Sequence, residues 1–418
     1  MDIAKISKRW NLPRVTGTEM NVLVVCPHFP ECSSGARTRS YHIIRALTRE
    51  HDVSLLVLTK TSHEKREAHP PQGLKIQRFV EVALGQVSRP KKRLKQVFWI
   101  LRGRSPELES YRLKEIQEAL DALFVKQHYD IVLFESSLMA AEYRLPTSTQ
   151  VIIDEHNIEF ELLYRTFQCG GSLIRRWYNW WESRQVRSAE LRRCSQSCGV
   201  LVTSAREASL LKSSLPNATV HVVPNGIDLE NFRDAHNARE LDDHIVFTGS
   251  MEYYPNIDAV LHFARECWPL IRSNAPLVTW TIVGRNPPSS VLKLGNVPGI
   301  TVTGSVTDVK PYLAAATVAI APLRIGSGTR LKILEAFAMK KAVVSTSLAC
   351  EGLDVIPGKH LIVADQPEAF AQQVLNLLQD SQARAALAKA GHDLAQAYSW
   401  ELCGDALLSA LRNIVEPT

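Results

Sequence analysis

Long apolar runs, paired cysteines and the common nucleotide-binding loops are all missing from this chain, and each absence removes a class of function. No apolar stretch approaches the roughly 20 residues that a spanning helix needs, so a transmembrane protein is not expected. Met1 to Met20 carries charges without an apolar core, so a secretory signal is not expected either. The eight cysteines, at 26, 32, 169, 194, 198, 267, 350 and 403, form no C-x-x-C and no Cys-His set with zinc spacing. Cys194 and Cys198 stand four apart with nothing nearby to complete a metal site, so the cysteines read as reduced thiols of a cytosolic protein and no metal is expected. G-x-G-x-x-G is absent, which argues against a nicotinamide cofactor, and G-x-x-x-x-G-K-[ST] is absent, which excludes a P-loop. There is no short-period repeat and no low-complexity tract. The net charge of +6 suits a phosphate-bearing substrate or an anionic membrane surface. With no nucleic-acid motif beside it, nucleic acid is not an expected partner.

What remains is an ordinary globular composition, 45% hydrophobic and 22% charged, in a chain long enough for two domains. Short apolar runs alternate with helical patterns throughout, as in parallel sheets. The first half offers strands at 21–26, 53–58, 130–135, 150–154, 199–204 and 220–223. After the turn Pro224-Asn225-Gly226-Ile227-Asp228 a new series begins, with strands at 245–248, 279–283 and 300–303. Gly249 and Ser250 follow the first of these.

The most informative stretch is 317–346. Thr317 to Ala321 is a buried strand, Pro322 to Thr329 a loop, Arg330 to Met339 a helix with Leu331, Leu334, Phe337 and Ala338 at helical spacing, and Ala342 to Thr346 a second strand. Gly326 and Gly328 let a ligand approach the backbone, and Ser327 and Thr329 bring amides to a helix start, where anions are favoured. Arg330 and Lys332 add positive charge, and Lys332 stands three before Glu335 and is placed to pair with it. One interpretation is a diphosphate held by amides, Arg330 and Lys332, with Glu335 accepting hydrogen bonds from sugar hydroxyls. The other is a capped helix with a solvated salt bridge.

Three further stretches stand out. Gly35 lies in a loop after the first strand, ahead of a helix expected over 40–49. Asp154-Glu155-His156-Asn157 gathers polar groups at a strand's carboxyl end, and His156 is of a type that titrates near neutrality and donates to phosphates or hydroxyls. Residues 90–104 and 174–193 mix basic and aromatic side chains. Both fit peripheral contact with an anionic membrane. The alternatives are a loop with one buried helical turn for the first, and for the second an acceptor groove or a helix with inward tryptophans and solvated arginines.

Gly35, Asp154-Glu155-His156-Asn157, Val223-Pro224-Asn225-Gly226-Ile227-Asp228 and Gly326-Ser327-Gly328-Thr329-Arg330-Leu331-Lys332-Ile333-Leu334-Glu335-Ala336, in that order, carry a resemblance over nearly all of 20–400. The chain resembles glycosyltransferase family 4, and within it the bacterial sugar transferases of exopolysaccharide clusters. The resemblance implies an α/β protein of GT-B fold, two Rossmann-like domains facing across a cleft. It implies an acceptor domain at 20–223, a donor domain at 224–397, and a helix within 398–418 crossing back to the first domain; polar 1–19 is expected to be flexible. The implied activity is retaining, metal-independent transfer of a hexose from a nucleotide-diphosphate sugar to a glycan or lipid-linked acceptor. From the cysteines and the basic, aromatic stretches, the expected location is cytoplasmic, peripheral on the inner face of the plasma membrane. No cofactor beyond the donor is implied. Glu335 matches the second glutamate of the family's E-x7-E motif, at the ribose; His156 matches the histidine near the reacting carbon; Gly35 matches the loop that admits the diphosphate. Catalysis would fall to His156, Arg330 and Lys332, and donor binding to Gly35, Gly249, Ser250, Gly326, Ser327, Gly328, Thr329, Arg330, Lys332 and Glu335. Two departures are visible: Ser327 stands where the first glutamate of E-x7-E would fall, and Pro255-Asn256 stands where many members carry Lys-Gly. Arg330 and Lys332 are expected to take over the phosphate charge. The missing glutamate keeps a non-catalytic carbohydrate-binding or assembly subunit open, and the fold also hosts nucleotide-sugar epimerases and hydrolases.

Overall fold

Aliphatic runs without polar alternation make strands that are covered on both faces, and such strands pair in parallel beneath helices. In the N-terminal half they are β1 (Asn21–Cys26), β2 (Asp52–Lys60), β3 (Arg78–Leu84), β4 (Ile131–Phe134), β5 (Gln150–Glu155), β6 (Gly199–Val202) and β7 (Val220–Val222). They form one parallel sheet in the order β3-β2-β1-β4-β5-β6-β7. Four helices of this half matter for function: α1 (Gly35–Leu47), α2 (Arg89–Leu101), α3 (Glu159–Gln168) and α4 (Leu173–Gln196). The C-terminal half builds β8 (His244–Thr248), β9 (Thr279–Val283), β10 (Ile300–Gly304), β11 (Val318–Ala321), β12 (Ala342–Ser345) and β13 (Ile362–Val363), parallel in the order β10-β9-β8-β11-β12-β13. Its helix α5 (Leu331–Ala338) joins β11 to β12, and α6 (Trp400–Val415) is the last helix among the described residues.

A computed structural model describes residues 19–32, 35–60, 69–84, 89–141, 143–169, 172–233 and 240–416. The expected flexible segment 1–19 lies, but for Glu19, outside them. The chain passes from one compact unit to the other between Pro224 and Asn225 and returns between Leu402 and Cys403. Tyr398 and Ser399 still belong to the C-terminal unit: Ser399 bridges to Ile227, and the Tyr398 hydroxyl accepts from the amide of Asp354 at 2.8 Å.

Side chains alternate along each strand, so one sheet feeds two cores. Val22, Val24 and Leu55 pack with Ile43 and Leu47 of α1 and with Leu407, Leu411 and Ile414 of α6. Leu23, Val25 and Leu56 pack on the other face with Ile116, Leu120 and Leu211. The C-terminal unit centres on fully buried Trp280, which meets Phe263 edge-on at 4.7 Å between ring centres.

Three expectations change. α1 begins at Gly35, not Ser40, and ends at Leu47; the Ser40 hydroxyl bonds back to the Ala36 carbonyl at 3.1 Å, an i to i−4 contact that a helix already formed there makes available. Residues 90–101 are not a loop with a buried turn but part of the full helix α2. β3 was not expected: it is an edge strand that carries Arg78 and Glu81, so it lacks the apolar run of its neighbours.

In both sheets the strand order reverses beside the first strand, between β1 and β4 and between β8 and β11. The helices there leave to opposite faces, and ligand sites form beyond the carboxyl ends of such strands.

Candidate active site

In the N-terminal unit four charged side chains meet beyond the ends of β4 and β5. Alternation along β5 sends Asp154 to one face with His156, and Glu155 to the other. Glu155 accepts from the Ser137 amide at 3.2 Å, and burial raises its carboxyl well above the usual range. Asp154 takes a two-pronged ion pair from Arg39 of α1, with Nε to Oδ2 at 2.9 Å and Nη2 to Oδ1 at 2.5 Å. The remaining Arg39 nitrogen donates to the carbonyls of Val223 and Pro224, at 2.9 and 3.4 Å, which fastens the chain just before it leaves the unit. His156 Nε2 lies 2.8 Å from Glu135 Oε2 and 3.4 Å from Asp154 Oδ2, and Ser40 Oγ donates to the same Glu135 oxygen at 2.5 Å. Two cations and two carboxylates thus compensate each other inside the protein.

The consequence is visible in the proton affinities. Burial alone raises Asp154 and lowers His156, but the pairing outweighs it. Arg39 and His156 hold Asp154 down at about 2, and Asp154 and Glu135 lift His156 to about 9. His156 is therefore an imidazolium at neutral pH, a donor rather than a base, and the expectation that it titrates near neutrality is replaced. The neighbouring His28 goes the other way, to about 3, through burial first and then the charge on His156. Among the described residues, Glu135, Asp154 and His156 are the one set of three potential metal donors close together, within 4.8 Å. They suit a metal poorly: both Asp154 oxygens are committed to a buried guanidinium that would repel a second cation.

In the C-terminal unit the groups beyond β8 and β11 are arranged differently. Lys332, on the first turn of α5, donates to Asn256 Oδ1 at 2.7 Å, and its ammonium stands 3.9 Å above the centre of the Phe247 ring. Asn256 is buried and its Nδ2 donates in turn to the Ser250 carbonyl at 2.8 Å. The expected Lys332–Glu335 pair does not form, because Asn256 and Phe247 take the ammonium. Gly249 has to be glycine: its φ is +158°, and a Cβ there would lie 2.8 Å from both Lys332 Nζ and Asn256 Nδ2. Burial first, then Arg330, lowers Lys332 to about 7, with Glu335 opposing. The half-buried Glu335 carboxylate makes no hydrogen bond or ion pair with a described residue, and burial raises its proton affinity.

Arg330 does not open outward as a clamp. It is only 7% exposed, and its Nη1 donates to the carbonyls of Ser327 and, at 2.8 Å, Gly328. A Cβ on Gly326 would strike that guanidinium, so glycine there makes room for the brace. The loop's other end is held by Arg324, paired in two prongs with Asp258 at 2.8 and 3.1 Å. Ser327 and Thr329 are buried in the loop, whereas Gly35 is exposed at the start of α1.

Three functional side chains escape sequence inspection, Arg39, Glu135 and Arg324, and so does the role of a fourth, Asn256. Arg39 left a trace, since it falls at helical spacing with Ile43 and Ala46 on a buried face. Glu135 directly follows an apolar strand, as His156 follows β5. Asn256 was marked only as a departure from the family's Lys-Gly; its contact with Lys332, 76 positions away, had no local signal.

Residues 33–231 match the family described as Glycosyltransferase Family 4, and residues 242–380 match Glycosyl transferases group 1. A Klebsiella pneumoniae relative, "Uncharacterized 44.6 kDa protein in cps region", is 23% identical over 275 residues, 63% of this chain and 68% of its own. Among solved structures, sucrose-phosphate synthase from Thermosynechococcus elongatus aligns over 96% of this chain and 100% of its own, with a TM-score of 0.71 at 16% identity. Anabaena HepE in complex with UDP-glucose aligns over 94% and 100%, with a TM-score of 0.60 at 12% identity. At such identities the structures speak for the fold, which is GT-B. With that fold, and with its two halves matched in order to glycosyltransferase families, the chain belongs to glycosyltransferase family 4.

Proposed function

We propose that this glycosyltransferase is a retaining enzyme that moves a hexose from a nucleotide-diphosphate sugar to a glycan or lipid-linked sugar acceptor, in surface or exopolysaccharide synthesis. The observation that carries it is the pair Lys332 and Glu335 beyond β8 and β11. Among the described residues, one is a cation whose direct contacts are the neutral Asn256 and Phe247, and the other is a carboxylate with no hydrogen bond or ion pair, feeling Lys332 only through space. A donor supplies what both lack, a diphosphate for Lys332 and ribose hydroxyls for Glu335. The bond that breaks is the one between the sugar's anomeric carbon and the diphosphate oxygen. Lys332, with the amides around Gly249–Ser250 and 326–329, takes the growing negative charge, so no step calls for a metal. Arg330 acts through the loop it braces. His156, as an imidazolium, donates to the reacting sugar, and the acceptor hydroxyl attacks on the leaving-group face. No protein nucleophile is invoked. HepE's complex with UDP-glucose favours a uridine donor, and the Klebsiella relative's place in a cps region favours polysaccharide synthesis.

The test is a thermal-shift screen of UDP, GDP, ADP and dTDP and their sugars, with and without EDTA. A ligand that binds only the folded state raises its melting temperature. The expected result is a shift with one nucleotide family, UDP first, unaltered by EDTA. No shift with any of them would sink the donor assignment.

A further inference from the structure

Large apolar side chains on the surface of a soluble unit need an explanation when they line up. Two helices of the N-terminal unit show this. Along α2, Leu94, Val97, Phe98 and Leu101 recur at helical spacing on the outside, with Leu94 70% and Leu101 82% exposed. Along the first half of α4, Leu173, Ile174, Trp177 and Trp180 do the same, with Ile174 82% and Trp177 56% exposed.

The charge along these stripes is mostly positive; the nearby acids are exposed Glu107 and half-buried Glu109, and Glu109 is paired with Arg104 and Arg112. Between Glu81 and Glu107 the sequence contains no acidic residue, but seven basic ones: Arg89, Lys91, Lys92, Arg93, Lys95, Arg102 and Arg104. The acids of α4 both turn inward. Glu182 accepts from the Ser105 hydroxyl at 2.7 Å and from the Glu107 amide at 3.1 Å, which ties α4 to the segment that follows α2. Glu190 accepts from the amides of Glu159 and Phe160, at 3.1 and 3.0 Å, at the start of α3. The outer face is left with apolar side chains and cations stacked on them, Arg102 over Phe98 at 4.2 Å and Arg184 over Trp180 at 5.6 Å. Among the described residues no helix is long and apolar enough to cross a membrane.

We propose that α2 and the first half of α4 form a docking surface for a bilayer that carries anionic head groups. Apolar side chains enter the acyl boundary, tryptophans sit at the interface, and the arginines and lysines meet the lipid phosphates. The inward placement of every acid on α4 is what selects this occupant. An acid on that face would repel the phosphates, and a helix that only packed on its own unit would have turned its leucines and tryptophans inward. The proposal does not rest on the transfer reaction and is tested without it.

The experiment is co-sedimentation of the full chain with vesicles of phosphatidylcholine, alone or mixed with phosphatidylglycerol. The expected result is binding to the mixed vesicles that weakens as salt is raised, with little binding to phosphatidylcholine alone. F98D with L101D, and separately W177A with W180A, should each weaken it by about tenfold or more. V125D with L277D, at sites 88% and 87% exposed elsewhere, should leave it unchanged. Circular dichroism of each variant establishes that it is folded. Failure to bind the mixed vesicles, or full binding by both apolar variants, overturns the proposal. Displacement by free glycerol phosphate also overturns it, in favour of a small-anion site. A concentration-dependent dimer that F98D with L101D dissolves, without vesicle binding, would assign the surface to a second copy instead.

Discussion

The two units place charge at the same point of the same topology and treat it in opposite ways. Beyond β4 and β5, Arg39, Asp154, His156 and Glu135 are paired among themselves. Beyond β8 and β11, Lys332 is held by an amide and a ring, and Glu335 by no described residue. A buried charge that meets its opposite inside the protein is a structural element, and removing one partner leaves the other stranded at high cost. A charge whose direct contacts are neutral groups is positioned without being neutralised by an ion pair, and Glu335 acts on Lys332 only through space. The N-terminal cluster is therefore built to stay as it is, and the C-terminal one fits the donor proposed for it.

Arg39→Met should break this comparison hardest if it is wrong. It strands Asp154 in the core, and the expected loss is about 3–5 kcal/mol in urea unfolding. R39M with D154N should recover much of it. A loss under about 1 kcal/mol from R39M alone would show that the quartet does not support the fold. Lys332→Ala should do the reverse, lowering kcat/KM by about 100- to 1,000-fold while leaving the urea midpoint nearly unchanged. Asn256→Ala should act in the same direction to a lesser degree, since the ammonium remains but loses its acceptor. Glu335→Ala should weaken donor binding by about 1.5–3 kcal/mol in calorimetry, the range for hydrogen bonds to a charged group. Unchanged affinity would remove the ribose from Glu335.

Much of this was legible in the sequence, and the boundary is physical. Strands such as Val22–Val25, Ile131–Phe134 and Val318–Ala321 are apolar on both faces, so a few consecutive residues announce them. β3 alternates and lies at an edge, and its charges hid it. The motif residues near a strand end, His156, Gly249 and Lys332, were legible because the strand end itself was. Their partners were not. Whether Lys332 would pair with Glu335, three positions on, or with Asn256, 76 positions back, depends on side-chain directions that the spacing leaves open. The same holds for Arg330, whose charge suggested a ligand and whose guanidinium turned to carbonyls two and three residues behind it.

The finest test of the comparison uses pH, because the two cations respond with opposite sign. His156 is raised from 6.5 to about 9 in the folded protein. Between those values the folded state binds the extra proton, so the stability that His156 contributes is present below pH 6.5 and is lost as pH rises through about 9. Lys332 is lowered from 10.5 to about 7. Between those values the unfolded state binds the extra proton, so its term makes the free protein more stable as pH rises. A diphosphate reverses that preference, since it binds the ammonium and not the amine. Donor affinity should therefore fall above pH 7, approaching about tenfold, or 1.4 kcal/mol, per unit, with a proton taken up on binding. Calorimetry in buffers of different ionisation enthalpy measures that uptake. Lys332→Arg keeps its charge across the range, so its donor affinity should be lower but flat. A wild-type affinity that does not change between pH 7 and 9 would mean that Lys332 is already neutralised within the protein, and the contrast between the two units would not hold.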